Sequence, residues 1–65
     1  MNIDQIIKLR REELGITQEH LAEISSVSLR TLKAIESGKA NPTINSLKKL
    51  TTVLGMEIKL EIISK

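Results

Sequence analysis

Several residue types are missing from this chain of 65 residues, which has no cysteine, phenylalanine, tyrosine or tryptophan. Without cysteine, disulfides and thiolate metal sites are excluded. The single histidine, His20, cannot build an imidazole cluster. Without aromatic side chains, the chain cannot stack bases as single-strand binders do. We therefore expect no metal site, no cofactor and no aromatic platform for single-stranded nucleic acid.

Long hydrophobic runs are also missing, because no apolar run exceeds two residues. The sequence therefore contains nothing that is long enough to span a membrane. The first four residues, MNID, lack the basic-then-apolar layout of a signal peptide, so we expect a cytoplasmic protein. The length allows one domain, and a content of 40% apolar and 28% charged residues is typical of a globular chain.

The charge of the chain is small but unevenly distributed. The net charge of +2 does not by itself indicate a nucleic-acid partner. Residues 1–27 carry three basic and five acidic groups, a net charge of −2, whereas residues 28–49 carry five basic and one acidic, a net charge of +4. The excess of positive charge is therefore concentrated in the middle third of the chain.

Apolar periodicity predicts four helices. Gly15, Gly38 and Gly55 each follow an apolar-periodic stretch, where a helix places its left-handed closing residue. We predict a first helix over residues 4–14, and hydroxyl side chains that can cap N-termini precede the other three. These predicted caps are Thr17, Ser28 and Thr43.

After the third glycine the apolar period changes to two, which is typical of a strand, over residues 56–63. The alternating apolar positions are Met56, Ile58, Leu60 and Ile62. A lone strand leaves its backbone groups unpaired, and the sequence has no second strand-like segment. We therefore expect it to pair antiparallel with its own copy about a two-fold axis. A register centred on Leu60 sets Lys59 against Glu61 on both sides.

Two short helices joined by a tight turn describe a helix-turn-helix. Around this pattern the chain has the segments TQEHLA (17–22), VS (27–28), IESGK (35–39) and NPT (41–43). At this spacing, they resemble the Xre/Cro-repressor family of DNA-binding domains. The resemblance covers about residues 3–55. Ser26 stands where the family usually has glycine in the turn, and the strand stands where the family usually has a fifth helix. A strand after four helices is similar to the Hip-type antitoxins.

The third helix carries the candidate base contacts on its first turns. Arg30 has the forked donors that suit guanine O6 and N7, and Leu29 suits a thymine methyl group. The resemblance implies that the residues facing the bases are Leu29, Arg30, Lys33 and Ala34. The predicted phosphate contacts are Thr17, Gln18, Ser28, Thr31 and Lys39. The resemblance also implies a partly buried ion pair between Arg11 and Glu36 that ties the first helix to the third.

The resemblance implies a mainly α, lambda-repressor-like bundle in which residues 1–55 bind DNA and residues 56–65 form a dimerisation strand and tail. The implied function is that of a homodimeric repressor that binds a palindromic operator in double-stranded DNA. The likeness to Hip-type antitoxins adds a toxin kinase as a second partner. The alternative is a protein-interaction module that neutralises a partner by strand augmentation without DNA binding. We expect no enzyme, because the serines have no positioned base near them in sequence.

Overall fold

A computed structural model describes residues 2–59 of the chain. Within this range the structure is built from four α-helices, as the apolar periodicity predicts. Their bounds are α1 Ile3–Glu13, α2 Gln18–Ser25, α3 Leu29–Glu36 and α4 Ile44–Leu54. None of these four helices combines the length and the apolar character that crossing a bilayer requires.

Hydroxyl side chains begin three of the helices, and all three predicted caps are confirmed. Thr17 Oγ1 accepts a hydrogen bond from the backbone N–H of His20 at 3.0 Å. Ser28 Oγ accepts from the N–H of Thr31 at 3.1 Å. The Thr43 hydroxyl accepts from the N–H of the residue three positions later at 3.0 Å. Each cap stabilises its helix by about 1 kcal/mol, since it satisfies an otherwise unpaired donor.

The core lies where α1, α2, α3 and α4 meet. Leu21, Leu32 and Leu50 are completely buried, and they come from α2, α3 and α4 respectively. Ile7 supplies the α1 side of the same core at 1% exposure. Each fully buried side chain of this size contributes roughly 1.5–3 kcal/mol. The four helices therefore hold each other through one shared apolar cluster, which fixes the orientation of α2 and α3.

The end of α4 is held by a side chain from α1 that sequence analysis did not single out. Gly55 closes α4 in the left-handed region, at φ 73°. Arg10 Nε donates to the backbone carbonyl of Leu54 at 2.9 Å. A cationic donor suits this position, because the last carbonyls of a helix lack internal partners and carry partial negative charge. The first and last helices are thereby joined at their C-terminal ends.

The described part of the predicted strand segment is the stretch that directly follows Gly55. Over residues 56–59 the single chain forms neither helix nor strand, so the expected strand is not formed in its described part. Met56 packs against the core, and Ile58 is exposed. Leu60 and Ile62 lie outside the described residues. Because ladder hydrogen bonds define a strand and the expected partner is a second copy, the strand and its pairing stay predictions.

Candidate nucleic-acid interface

The turn between α2 and α3 depends on a residue with unusual backbone geometry. Ser26 lies in the left-handed region, with φ 61° and ψ 24°, and it is the one non-glycine residue of positive φ within residues 2–59. This is the position at which glycine is usual in the resembling family. The buried Ser25 hydroxyl supports the turn by accepting from the N–H of Val27 at 3.3 Å. The turn is therefore built with a serine at a cost of about 1 kcal/mol in backbone strain.

The third helix has two faces of opposite character. Leu32 and Ile35 point into the core, at 0% and 1% exposure. Arg30 and Lys33 are exposed on the outer face, together with Thr31. The inner face fixes α3 against the bundle, so its outer face presents two cations in a defined orientation.

The other two predicted base contacts are less exposed. Leu29 is half-buried and packs against the core cluster, so only part of its side chain is available to a thymine methyl group. Ala34 is also half-buried. Its carbonyl accepts from the N–H groups of Lys39 at 3.0 Å and Ala40 at 3.2 Å. Ala34 therefore anchors the turn that closes α3.

The predicted phosphate contacts lie at the ends of α2 and α3. Thr17 and Ser28 precede the two helices and are exposed, and their oxygens already cap backbone N–H groups. The Ser28 hydroxyl also donates to Thr31 Oγ1 at 2.8 Å. Lys39 is exposed after Gly38, which closes α3 at φ 76°. The unpaired N–H groups and partial positive charge of helix N-termini favour phosphate near Thr17 and Ser28.

Arg11 and Glu36 form a two-pronged ion pair that joins α1 to α3. Arg11 Nε and Nη2 donate to the two carboxylate oxygens at 2.8 and 3.0 Å. The exposed fractions of the two side chains are only 11% for Arg11 and 3% for Glu36. Arg11 Nη1 also donates to the carbonyl of Ile16 at 2.9 Å. The pair therefore fixes α3 and the loop before α2 to the same arginine.

The electrostatics of this pair favour its charged form. The hydrogen bond to Glu36 raises the pKa of Arg11 above its ordinary value, and the nearby carboxylates of Glu36, Glu12 and Glu19 act in the same direction. Burial opposes them by disfavouring the charge. The net effect stabilises the charged form of the guanidinium.

The pair also holds Gln18, which sequence analysis treated only as a phosphate contact. Gln18 Nε2 donates to Glu36 Oε1 at 3.1 Å. Gln18 is half-buried at the first position of α2. Nothing in the local sequence shows this contact, because the two residues lie 18 positions apart.

A shallow cleft between α1 and α3 brings these groups together with two lysines. It is lined by Lys8, Arg11, Gln18, Lys33, Glu36 and Ser37. No role was predicted for Lys8 from the sequence. Its spacing from Arg11 was a usable signal, because residues three apart lie on the same side of a helix.

Comparisons with known proteins agree with this geometry. The profile of the helix-turn-helix family matches residues 7–60. A protein of Methanothermobacter thermautotrophicus, named as an uncharacterized HTH-type transcriptional regulator, is 38% identical over 80% of this chain and 75% of its own length. A similarly named regulator of Sinorhizobium fredii is 41% identical over 75% of this chain and 62% of its own length.

A phage protein is similar over a larger share of the chain. The immunity repressor protein of Bacillus phage phi105 is 34% identical over 89% of this chain. The match covers 40% of that repressor, so the chain spans less than half of its length. No solved structure gives a significant match. Because the family profile covers most of the chain and the named relatives are regulators, the chain belongs to the Xre/Cro-type helix-turn-helix family of DNA-binding transcriptional regulators.

Proposed function

We propose that this chain represses transcription by placing α3 in the major groove of double-stranded DNA. The observation that carries the proposal is the division of α3 into a buried face and an exposed face that bears Arg30 and Lys33. A helix fits the major groove, and its N-terminal turn approaches the base edges closely. The similarity to the phi105 immunity repressor supports repression as the outcome of binding.

In the proposed complex, one set of residues faces the bases and a second set contacts the phosphates. The base-facing residues are Leu29, Arg30, Lys33 and Ala34, and Arg30 pairs with guanine O6 and N7. The phosphate contacts are Thr17, Gln18, Ser28, Thr31 and Lys39. Phosphate contacts supply affinity and salt dependence, whereas base contacts supply sequence preference.

The proposed function has a direct test in a titration of the protein against a short random-sequence duplex. Affinity is expected to fall steeply between about 50 and 200 mM salt, because each neutralised phosphate releases counterions. A selection from random duplexes is then expected to return a preferred half-site. Absence of binding at the lower salt concentration contradicts the proposal.

The chain is proposed to act as a homodimer joined through residues 56–65. An apolar groove beside Met56 supports this part of the proposal. Ile44 and Ile58 border the groove and are 68% and 38% exposed. A second copy would cover these side chains and would supply the strand partner that the alternating sequence pattern predicts. The dimer would contact a palindromic operator with half-sites about 34–36 Å apart, or a multiple of that distance.

Crosslinking and sedimentation test the dimer separately from DNA binding. In the predicted register, Leu60 of one copy faces Leu60 of the other. A Leu60→Cys variant is therefore expected to form a disulfide dimer under mild oxidation. Sedimentation at micromolar concentration is expected to show two chains per particle. A monomer in both experiments contradicts the dimer and leaves half-site binding by single chains.

The rival function is an interaction module that augments a partner's sheet without binding DNA. Arg30, Lys33 and Lys39 are all exposed. Their exposure favours DNA binding, because an interaction module need not retain basic groups at these positions. The antitoxin role, with a toxin kinase as partner, depends on residues 56–65 and stays a prediction. A kinase-like reading frame next to the gene would support it.

A further inference from the structure

The cleft between α1 and α3 is lined by more cationic than anionic side chains. Three cations line it, from Lys8, Arg11 and Lys33, against the single carboxylate of Glu36. Glu36 is occupied by Arg11 through two hydrogen bonds. Two ammonium groups therefore remain without a carboxylate inside the cleft, and an anion is the ligand that balances them.

The polar groups around the two lysines are already engaged or are themselves donors. Arg11 donates to Glu36 and to the carbonyl of Ile16. The Ser37 hydroxyl donates to the carbonyl of Ala34 at 3.1 Å. Gln18 donates one amide hydrogen to Glu36, and its second amide hydrogen has no partner among residues 2–59. The cleft therefore offers donors to a ligand and no free carboxylate.

Lys8 has a simpler possible partner in Glu12, four positions later on the same helix, which borders a neighbouring groove with it. The two side chains form no ion pair; within residues 2–59 the ion pairs join Arg10 to Glu13 and Arg11 to Glu36. A lysine placed N-terminal to a glutamate is also the weaker orientation of such a pair. Lys8 is thus an exposed cation that borders the cleft and forms no ion pair with a residue of its own helix.

We infer that Lys8 binds a backbone phosphate of the DNA duplex, so that α1 contributes to the interface along with α2 and α3. The inference rests on the proposed function, since Lys33 and Gln18 place the cleft at the edge of the α3 contact surface. A phosphate in the cleft would contact Lys8 and would accept the second amide hydrogen of Gln18, while Lys33 at the edge of the cleft faces the bases. Such a contact adds affinity for every sequence and no sequence preference.

The test measures the salt dependence of binding to a random-sequence duplex for four proteins: the unchanged chain, Lys8→Gln, Lys8→Arg and Lys49→Gln. Lys49 is an exposed lysine on α4, so its substitution removes the same charge away from the cleft. We expect Lys8→Gln to lower the slope of log affinity against log salt by about 0.9 per bound chain. Lys8→Arg is expected to keep the slope, and Lys49→Gln is expected to leave it unchanged.

Other outcomes separate the inference from the proposed function. If the unchanged chain binds with a steep slope and Lys8→Gln binds with the same slope, the inference is wrong and the proposed function stands. Equal losses in Lys8→Gln and Lys49→Gln also overturn it, because they indicate a general effect of net charge. If the unchanged chain does not bind DNA, both the inference and the proposed function fail. All three variants change exposed residues, and thermal unfolding checks that each one folds.

Discussion

Gln18 at the start of α2 donates from Nε2 to Oε1 of Glu36 at the end of α3, at 3.1 Å. The same carboxylate is held by Arg11 from α1. A side chain proposed to touch the DNA backbone is therefore oriented by an ion pair whose two side chains are almost buried. This arrangement pre-positions the amide and reduces the side-chain entropy that binding would otherwise cost.

The ion pair is expected to be important for stability. Glu36→Gln leaves the Arg11 guanidinium without its counter-charge in a site where both side chains are almost buried. We expect the free energy of unfolding to fall by about 3 kcal/mol, as measured by urea denaturation. Glu13→Gln is the matched control, because its pair with Arg10 spans 3.8 Å and is largely exposed. This control is expected to cause no measurable change.

Gln18 and Glu36 are expected to be coupled in DNA binding. Gln18→Ala removes the proposed phosphate contact, and Glu36→Ala removes the oxygen that accepts from the Gln18 amide. In a double-mutant cycle, the affinity lost by the double variant should be smaller than the sum of the two single losses. Binding is measured at a temperature where both variants are fully folded. Additive losses would show that Glu36 does not position Gln18.

The turn between α2 and α3 can be stabilised at its left-handed residue. Ser26→Gly removes the strain of a side chain at φ 61° and is expected to raise the free energy of unfolding by about 1 kcal/mol. Gly15→Ala is the converse test. A methyl group there would meet no atom within 4 Å, so its expected cost of about 1 kcal/mol comes from the backbone at φ 69° alone. Opposite signs for the two changes confirm the explanation.

Arg30 and Lys39 are expected to contribute differently to DNA binding, Arg30 to sequence discrimination and Lys39 to affinity for all sequences. Arg30→Ala should lose about 1–3 kcal/mol of discrimination at one base pair of each half-site, since it removes the forked contact to guanine. Lys39→Ala should weaken binding to all sequences alike and lower the salt slope by about one. Affinities for a selected operator and its single-base variants check both expectations. An equal loss of specific and random binding in Arg30→Ala would place that residue among the phosphate contacts.

Features with a local sequence signal were predictable. The caps at Thr17, Ser28 and Thr43 and the closing glycines depend on a few neighbouring residues, and the structure has each helix where they place it. Ser26 was recognised as a departure from the usual glycine, and its φ of 61° shows that the serine adopts a left-handed conformation that favours glycine.

Features that depend on distant partners were not predictable. The hydrogen bond from Arg10 to the carbonyl of Leu54 joins residues 44 positions apart, and an arginine near a helix end gives no sign of which carbonyl it will reach. The role of Lys8 in the cleft depends on how α1 packs against α3. The predicted strand over residues 56–63 stays a prediction, because the partner it needs is expected to belong to another chain.

Two neighbouring arginines join α1 to two different helices, Arg10 to α4 and Arg11 to α3. Arg10 holds the point at which the chain leaves α4, and Arg11 holds the end of α3 and, through Glu36, the amide of Gln18. A displacement of α1 along its axis would disturb both attachments at once. Helix α1 carries no predicted base contact, yet it keeps the C-terminal end of α4 and the exposed face of α3 in a constant mutual position.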